Sequence, residues 1–331
     1  MISVCISTIR AGTLEAAARS ILNQTWTDWE LIIVAQGNDE ALMRSCETVR
    51  NWDTGGRIRL VHLAEKGLSR ARNAGAAAAR GDILAFTDDD CEAREDWLVT
   101  VARYFAADAK LGALGGALVA PSPRPGTLLS VCPQCLPEET LWDAADKKAD
   151  PPRTWDWAGG NFALSRACWE TVGVFDPCLG AGSLFPAAED TDYLLRMEQA
   201  GIRMKTTPES VILHTSGRRY GWKSVANHTR NYALGNGALA AKMTLAGDPR
   251  GQVWLERETR PNDSLMNRLR QIPRLPVRAR RLRFFCFAYE RCLAEYRFDA
   301  SRDVLMPLAP TTPTDPPSSV RSLLQEAGNA G

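Results

Sequence analysis

Short apolar runs that alternate with segments of helical periodicity constrain this chain more than any other feature. Ile2, Val4 and Ile6 fall at every second position, as in a strand, and Leu14, Ala17, Ala18, Ile21 and Leu22 then recur with helical spacing. The run 30–35 (ELIIVA) suits a strand buried on both faces, and 58–63 (IRLVHL) reads as a third strand. A helix is expected over 69–80, then a Gly81-Asp82 turn and a fourth strand at 83–87 (ILAFT). Such alternation specifies an α/β fold, a mostly parallel sheet flanked by helices. Residues 111–119 are apolar and Gly-rich, and the rhythm then breaks in a segment with seven prolines from Pro121 to Pro152, expected as a loop-rich insertion. Regularity returns with 161–165, a helix near 166–172, an acidic helix start at 189–192 and a strand at 211–213. Beyond Gly217 the chain reads as helical in pieces, and from Pro307 as a Pro-rich mobile tail.

The fourth strand runs directly into Asp88, Asp89 and Asp90. In open α/β sheets ligands bind at that carboxyl edge. Clustered carboxylates repel one another unless a cation neutralises them, and hard oxygen ligands suit Mg²⁺ or Mn²⁺. The same acids also fit a solvated turn, one of them capping a helix near 95–101. A second acidic group, Glu189, Asp190 and Asp192, opens an amphipathic run. Acids in a first helical turn stabilise the macrodipole, and that environment favours the ionised form, which works against a general base unless burial or neighbouring charge offsets it.

Charge narrows the function classes. Forty basic and thirty-nine acidic residues leave a formal +1, which argues against a nucleic-acid binder that neutralises many phosphates. The balance hides a split, because residues 1–217 hold 21 basic and 29 acidic side chains and residues 218–331 hold 19 and 10. No charge-free stretch has the length of a membrane span. The N-terminus has neither a basic region nor a long apolar core, so a cytoplasmic location is expected. Nine cysteines are too dilute for a disulfide scaffold and point to reduced thiols.

Six motifs then fall in one order: 20–25 (SILNQT), 67–75 (GLSRARNAG), 87–90 (TDDD), 159–162 (GGNF), 172–176 (VGVFD) and 189–192 (EDTD). Through them the chain resembles the family 2 glycosyltransferases from Ile2 to about His214. The resemblance implies a GT-A (nucleotide-diphospho-sugar transferase) fold, a Rossmann-like sheet flanked by helices. The corresponding domains are a catalytic domain at 1–217, divided into a nucleotide-sugar-binding half (1–120) and an acceptor-facing half (121–217), an Arg-rich helical extension at 218–306 and the tail at 307–331. It also implies inverting transfer of a sugar from a nucleotide-diphosphate sugar to a hydroxyl of a glycan or lipid-linked acceptor. By the same resemblance Asp88 and Asp90 match the outer acids of the DxD motif that contacts the donor ribose and the divalent cation, Mg²⁺ or Mn²⁺, and Asp89 shares this duty. Arg72, Gly160 and Asn161 fall at donor-binding positions. His214 matches a histidine that approaches the metal or diphosphate, and Asp190 the catalytic base, with Glu189 as the second candidate. One departure stands out, since the run 34–38 (VAQGN) lacks the acid that reads uracil and leaves Gln36 to face the base. A UDP-sugar is the favoured donor, with dTDP- and GDP-sugars open. That altered pair also motivates a second class, a nucleotide- or glycan-binding protein without turnover.

Three further features have plain alternatives. Cys132 and Cys135 have the spacing of a zinc knuckle but no second pair. Trp155 and Trp157 suit either an acceptor sugar or the core. Seven arginines between Arg268 and Arg283, followed by Phe284, Phe285 and Phe287, suit either peripheral contact of residues 268–287 with the inner face of an anionic membrane or a solvated helix.

Overall fold

Every residue of β1 (Ile2–Thr8) is buried, and its side chains alternate between two apolar clusters. Ile2, Val4 and Ile6 enter one and Cys5 the other, so both faces of the strand are covered. The computed structural model describes residues 1–53, 55–146, 157–259 and 275–308. After β1 come α1 (Ala11–Leu22), β2 (Trp29–Gln36), α2 (Glu40–Arg50), β3 (Ile58–Leu63), α3 (Leu68–Ala78) and β4 (Ile83–Asp88). These strands lie in the order β3-β2-β1-β4, all parallel, as helical crossovers require. The expected α/β class holds, with a mostly parallel central sheet and helices on both faces.

The second half of the sheet is mixed. The chain continues through β5 (Glu92–Ala93), α4 (Trp97–Ala107), β6 (Leu111–Val119), β7 (Ser130–Val131), β8 (Thr140–Asp143), β9 (Phe162–Ser165), α5 (Arg166–Val172), α6 (Glu189–Gln199), β10 (Arg203–Leu213) and β11 (Arg219–Tyr220). β9 inserts antiparallel between β4 and β6, and β10 lies parallel to β6. The strand expected at 211–213 is the end of the eleven-residue β10, whose register shifts between Thr207 and Val211. Pro208 lies inside that shift and has no N–H to give to a ladder. Helices α1, α2 and α4 cover one face through Leu14, Leu42 and Trp97, and α3, α5 and α6 the other through Ala71, Cys168 and Tyr193.

Two compact units result, one of Met1–Leu184 with Glu189–His228 and one of Phe185–Ala188 with Thr229–Gly331. The second contains most of α7 (Gly221–Leu245), then α8 (Arg250–Thr259), α9 (Leu275–Glu295) and an antiparallel pair, β12 (Tyr296–Asp299) and β13 (Val304–Pro307). The helical pieces expected there are α7, α8 and α9. Gly237 of α7 admits the backbone of α9, because a Cβ would lie 2.1 Å from the Phe285 carbonyl oxygen. Phe285 itself is fully buried beside Trp254, with ring centroids 6.3 Å apart, and Arg230 and Arg280 cover the ring of Phe284. Of the aromatic part of the expected membrane segment Phe285 is spent on the core of this unit and Phe284 and Phe287 are half-buried, while Arg268, Arg270 and Arg274 lie outside the described residues. Pro307 pairs with Tyr296 in the hairpin rather than beginning a tail, and the rest of the Pro-rich stretch, from 309, is also outside them. Among the described residues no helix is long and apolar enough to cross a membrane.

Candidate active site

The carboxyl ends of β1 and β4 lie side by side, which brings Thr8 and Arg10 against the aspartates. Asp89 accepts from Thr8 Oγ1 at 2.7 Å on one oxygen and from Arg10 Nη2 at 2.6 Å on the other. Arg10 Nη2 also reaches Asp90 Oδ2 at 3.1 Å. His214, one residue beyond β10, places Nε2 3.3 Å from Asp90 Oδ1 and Nδ1 3.0 Å from the Pro133 carbonyl. A carbonyl only accepts, so Nδ1 carries a proton and Nε2 is the nitrogen turned to Asp90. Gly217 makes room for that ring, since a Cβ there would fall 1.8 Å from Nε2.

A second cluster is built around Arg72 of α3, which is 2% exposed. Its Nη1 donates to Glu189 Oε1 at 2.9 Å and its Nη2 to the Gly159 carbonyl at 2.8 Å, with Asp88 Oδ1 at 3.5 Å. The helix reaches this depth because Gly75 touches the sheet, where a Cβ would lie 3.2 Å from Cys5 Sγ. Asp190 accepts from the Gly159 N–H at 2.9 Å and from its neighbour Thr191 N–H at 2.8 Å. Gly159 and Gly160 pass between the acids, and a Cβ on them would meet Arg72 Nη2 at 2.9 Å and Asp88 Oδ2 at 3.2 Å, respectively. Just before the acidic pair, Ala188 takes φ 72°, a left-handed conformation that costs a non-glycine residue on the order of 1–2 kcal/mol.

These surroundings push the carboxyls apart. Burial, with Asp90 and Asp89 nearby and only partly offset by Arg72, raises Asp88 to about 6. Burial and the adjacent Asp190 raise Glu189 to about 7, against the pull of Arg72. Burial acts on Asp90 as well, but the hydrogen bond and charge of His214 and the charge of Arg10 outweigh it and hold the group at about 2. Asp90, Cys91 and His214 offer ligand atoms within 4.8 Å of one another. Burial, with Asp88 and Asp90 alongside, raises the Cys91 thiol far above its usual range, so it stays protonated. The carboxylate of Asp90 and the imidazole of His214, once its Nε2 gives up the proton it shares with Asp90, are the donors that fit a divalent cation. Asp88 is not in this group and faces Arg72 instead.

Several expected positions serve the scaffold. Asn161 donates to the carbonyls of Ala117 and Ser210 and accepts from Trp97 Nε1, which occupies its amide between β6, β9 and β10. Asp89 is likewise engaged on both oxygens. Gln36 ends β2 and accepts from the Gly67 N–H at 2.7 Å, fixing the start of α3, and its amide nitrogen makes no hydrogen bond among the described residues. Trp157 packs on Phe162 at 5.6 Å, and Trp155 lies outside the described residues. Cys132 lies 3.6 Å from His214 Nδ1 and Cys135 pairs by its backbone with Leu118, and no cluster of three possible ligands among the described residues includes either. Sequence reasoning does not single out Arg10, although its place just past the central strand, level with the aspartates across the sheet, is the signal that finds it.

The family profile of glycosyl transferase family 2 matches residues 3–171, slightly more than half of the chain. The glucosyl-dolichyl phosphate glucuronosyltransferase of Haloferax volcanii is 27% identical over 213 residues, 62% of this chain and 65% of that one. The polypeptide N-acetylgalactosaminyltransferase 12 of Mus musculus is 26% identical over 208 residues, 56% of this chain and 33% of that one. The chain therefore spans from a third to just under two thirds of the length of these relatives. In structure it is similar to the mannosyltransferase PcManGT from Pyrobaculum calidifontis, solved with GDP-Man and Mn²⁺, with a TM-score of 0.56 at 16% identity over 88% of this chain and 86% of that one. That likeness is one of fold, and the fold is GT-A. With its profile match, the chain belongs to glycosyl transferase family 2.

Proposed function

We propose that the chain transfers a sugar from a nucleotide-diphosphate sugar to a hydroxyl of a glycan or lipid-linked acceptor, with inversion at the anomeric carbon. The observation that carries this reading is the different exposure of two adjacent acids at the start of α6. Glu189 is buried and bound to Arg72, whereas Asp190 is half-buried and held by the N–H groups of Gly159 and Thr191. Asp190 is then the base that takes the acceptor proton, and Glu189 a positioning residue that fixes Arg72. A hydroxyl is a weak nucleophile at neutral pH, and a placed carboxylate contributes about 10²–10⁴ in rate. Arg72, Asp88 and the bare backbone of Gly160 receive the donor, and Gln36 faces its base. UDP-sugars are the first donors to try, then dTDP- and GDP-sugars. Asp90 and His214 hold Mg²⁺ or Mn²⁺, which supplies positive charge where the leaving diphosphate gains negative charge.

The test is hydrolysis of a panel of nucleotide sugars in the presence of Mn²⁺, followed by Asp190→Asn. Turnover lost with nucleotide binding kept supports the assignment. Full activity in the variant removes Asp190 as the base. Nucleotide binding with no turnover of any donor, with or without added acceptors, favours the binding protein.

A further inference from the structure

The segment between β6 and β8 carries side chains that neither the core nor the site uses. Leu128 is 101% exposed, Leu129 is also exposed, and Trp222 is 66% exposed. They lie together because β7 pairs with β11, and the Gly221 N–H continues that ladder to the Leu129 carbonyl at 3.1 Å. Arg218 ties the segment down from below, donating to the Pro121 carbonyl at 2.9 Å and to Ser130 Oγ at 3.1 Å. The apolar tip is therefore held out by fixed backbone on both sides.

Cations surround it. The Arg124 guanidinium stacks over Tyr220 at 4.7 Å, the Lys223 ammonium lies 5.8 Å from the Trp222 ring, and Arg219 is exposed beside them. No acidic residue occurs between Asp108 and Glu138 or from 210 to His228, so the two segments that form this edge carry only basic charge within a unit that is acidic overall, and Glu92 meets the second of them at Thr215. The same segment runs on to Pro133 and Cys132, which touch His214.

We infer that Leu128, Leu129 and Trp222 insert into an anionic phospholipid surface, with Arg124, Arg219 and Lys223 on its phosphates. Exposed apolar side chains beside a tryptophan and a ring of cations combine the two attractions that peripheral binding needs, apolar burial and charge. An aromatic ring with a polar edge suits the headgroup level. A soluble partner would have to bring acids to match the cations and an apolar pocket to match the tip, whereas a lipid surface offers both. The contact does not depend on which reaction the site performs. It assigns a membrane face to the β7–β11 edge, where the apolar side chains are exposed, whereas Phe285 of the 268–287 segment is buried.

The experiment is sedimentation of the full chain with phosphatidylcholine vesicles, with and without phosphatidylglycerol. Binding is expected with phosphatidylglycerol and is expected to weaken as salt is raised. Leu128→Ser, Leu129→Ser and Trp222→Ser together should lower partitioning about tenfold or more with an unchanged thermal melt, since all three are exposed. Arg124→Gln, Arg219→Gln and Lys223→Gln should remove the preference for phosphatidylglycerol. Changing Arg278, Arg280, Arg281 and Arg283 to Gln should leave binding in place. The inference is overturned if the chain ignores both vesicles, if the triple serine variant binds as the parent does, or if only the Arg278–Arg283 variant loses binding. It is also overturned if the tip substitutions abolish self-association in the absence of lipid and the parent shows no vesicle binding, which would make a second copy the occupant.

Discussion

The two edges of the same sheet treat buried carboxylates in opposite ways. At the amino edge Glu30 of β2 accepts from Ser3 Oγ at 2.7 Å, the Arg80 N–H at 2.6 Å and Arg59 Nη1 at 3.2 Å. Burial would raise its pKa, but these donors outweigh it and hold the group below the usual carboxylate range. At the carboxyl edge Asp88 and Glu189 share Arg72 and are pushed up to about 6 and about 7. The scaffold acid is given enough donors for its charge, and so is Asp90 with His214 and Arg10, whereas Asp88 and Glu189 share one guanidinium and are left short of positive charge. A shortfall of that kind is one a cation would fill, and it marks the carboxyl edge as the working one.

The largest expected effect separates the two adjacent acids of α6. Asp190→Asn should lower turnover by about 10²–10⁴, and Glu189→Gln, which keeps a hydrogen-bonding group on Arg72, should lower it at least about tenfold less. Rates for both variants with one donor decide the matter, and the reverse order would make Glu189 the base. Next comes Arg72→Met, which leaves Asp88 and Glu189 buried without their common cation. A stability loss of about 3–5 kcal/mol is expected by denaturant unfolding. Adding Glu189→Leu should restore part of it, and a purely additive pair would show that the two side chains do not depend on each other.

The contrast between the edges is only partly legible in the order of residues along the chain. The parallel half of the sheet follows from period-two runs and helical spacing between residues 2 and 88, because β1 and β2 are buried on both faces and each crossover helix is short and regular. The acids can be picked out because they sit where strands end and helices begin. What stays hidden depends on contacts distant in sequence. Arg10 is 79 residues from Asp89, and no local pattern joins them. Asn161 reads as a ligand residue because it stands in a Gly-Gly-Asn motif, yet its amide is consumed by Ala117, Ser210 and Trp97, which only the antiparallel entry of β9 brings together. Phe285 reads as part of a membrane patch because α9 is rich in arginine, but Gly237 of α7 opens a seat for it.

A smaller effect is expected where site and scaffold meet. Asp89→Asn keeps an acceptor for Thr8 and loses the charge opposite Arg10, so a loss of about 1–3 kcal/mol should follow. The variant's melting temperature measures it. If stability is unchanged, the Arg10 contact adds nothing and Asp89 is open to a ligand.

Glu30 provides the mildest test and the one that speaks directly to the difference between the edges. Its folded pKa lies below the unfolded value of about 4.3. The stabilisation from its charge is therefore fully present above that value and is lost as pH falls through the folded pKa. In the parent chain melting temperature should drop across that acid window, and in Glu30→Gln the drop should be shallower, the variant starting lower at neutral pH and converging on the parent in acid. Asp88 and Glu189 have raised pKa values, so charging them on the way to neutral pH costs stability in the folded state. The acid limb contributed by Glu30 should therefore survive in an Asp88→Asn, Glu189→Gln background. Parallel curves for the parent and Glu30→Gln would mean that three donors do not distinguish the scaffold acid from those of the site, and the contrast between the two edges would fail.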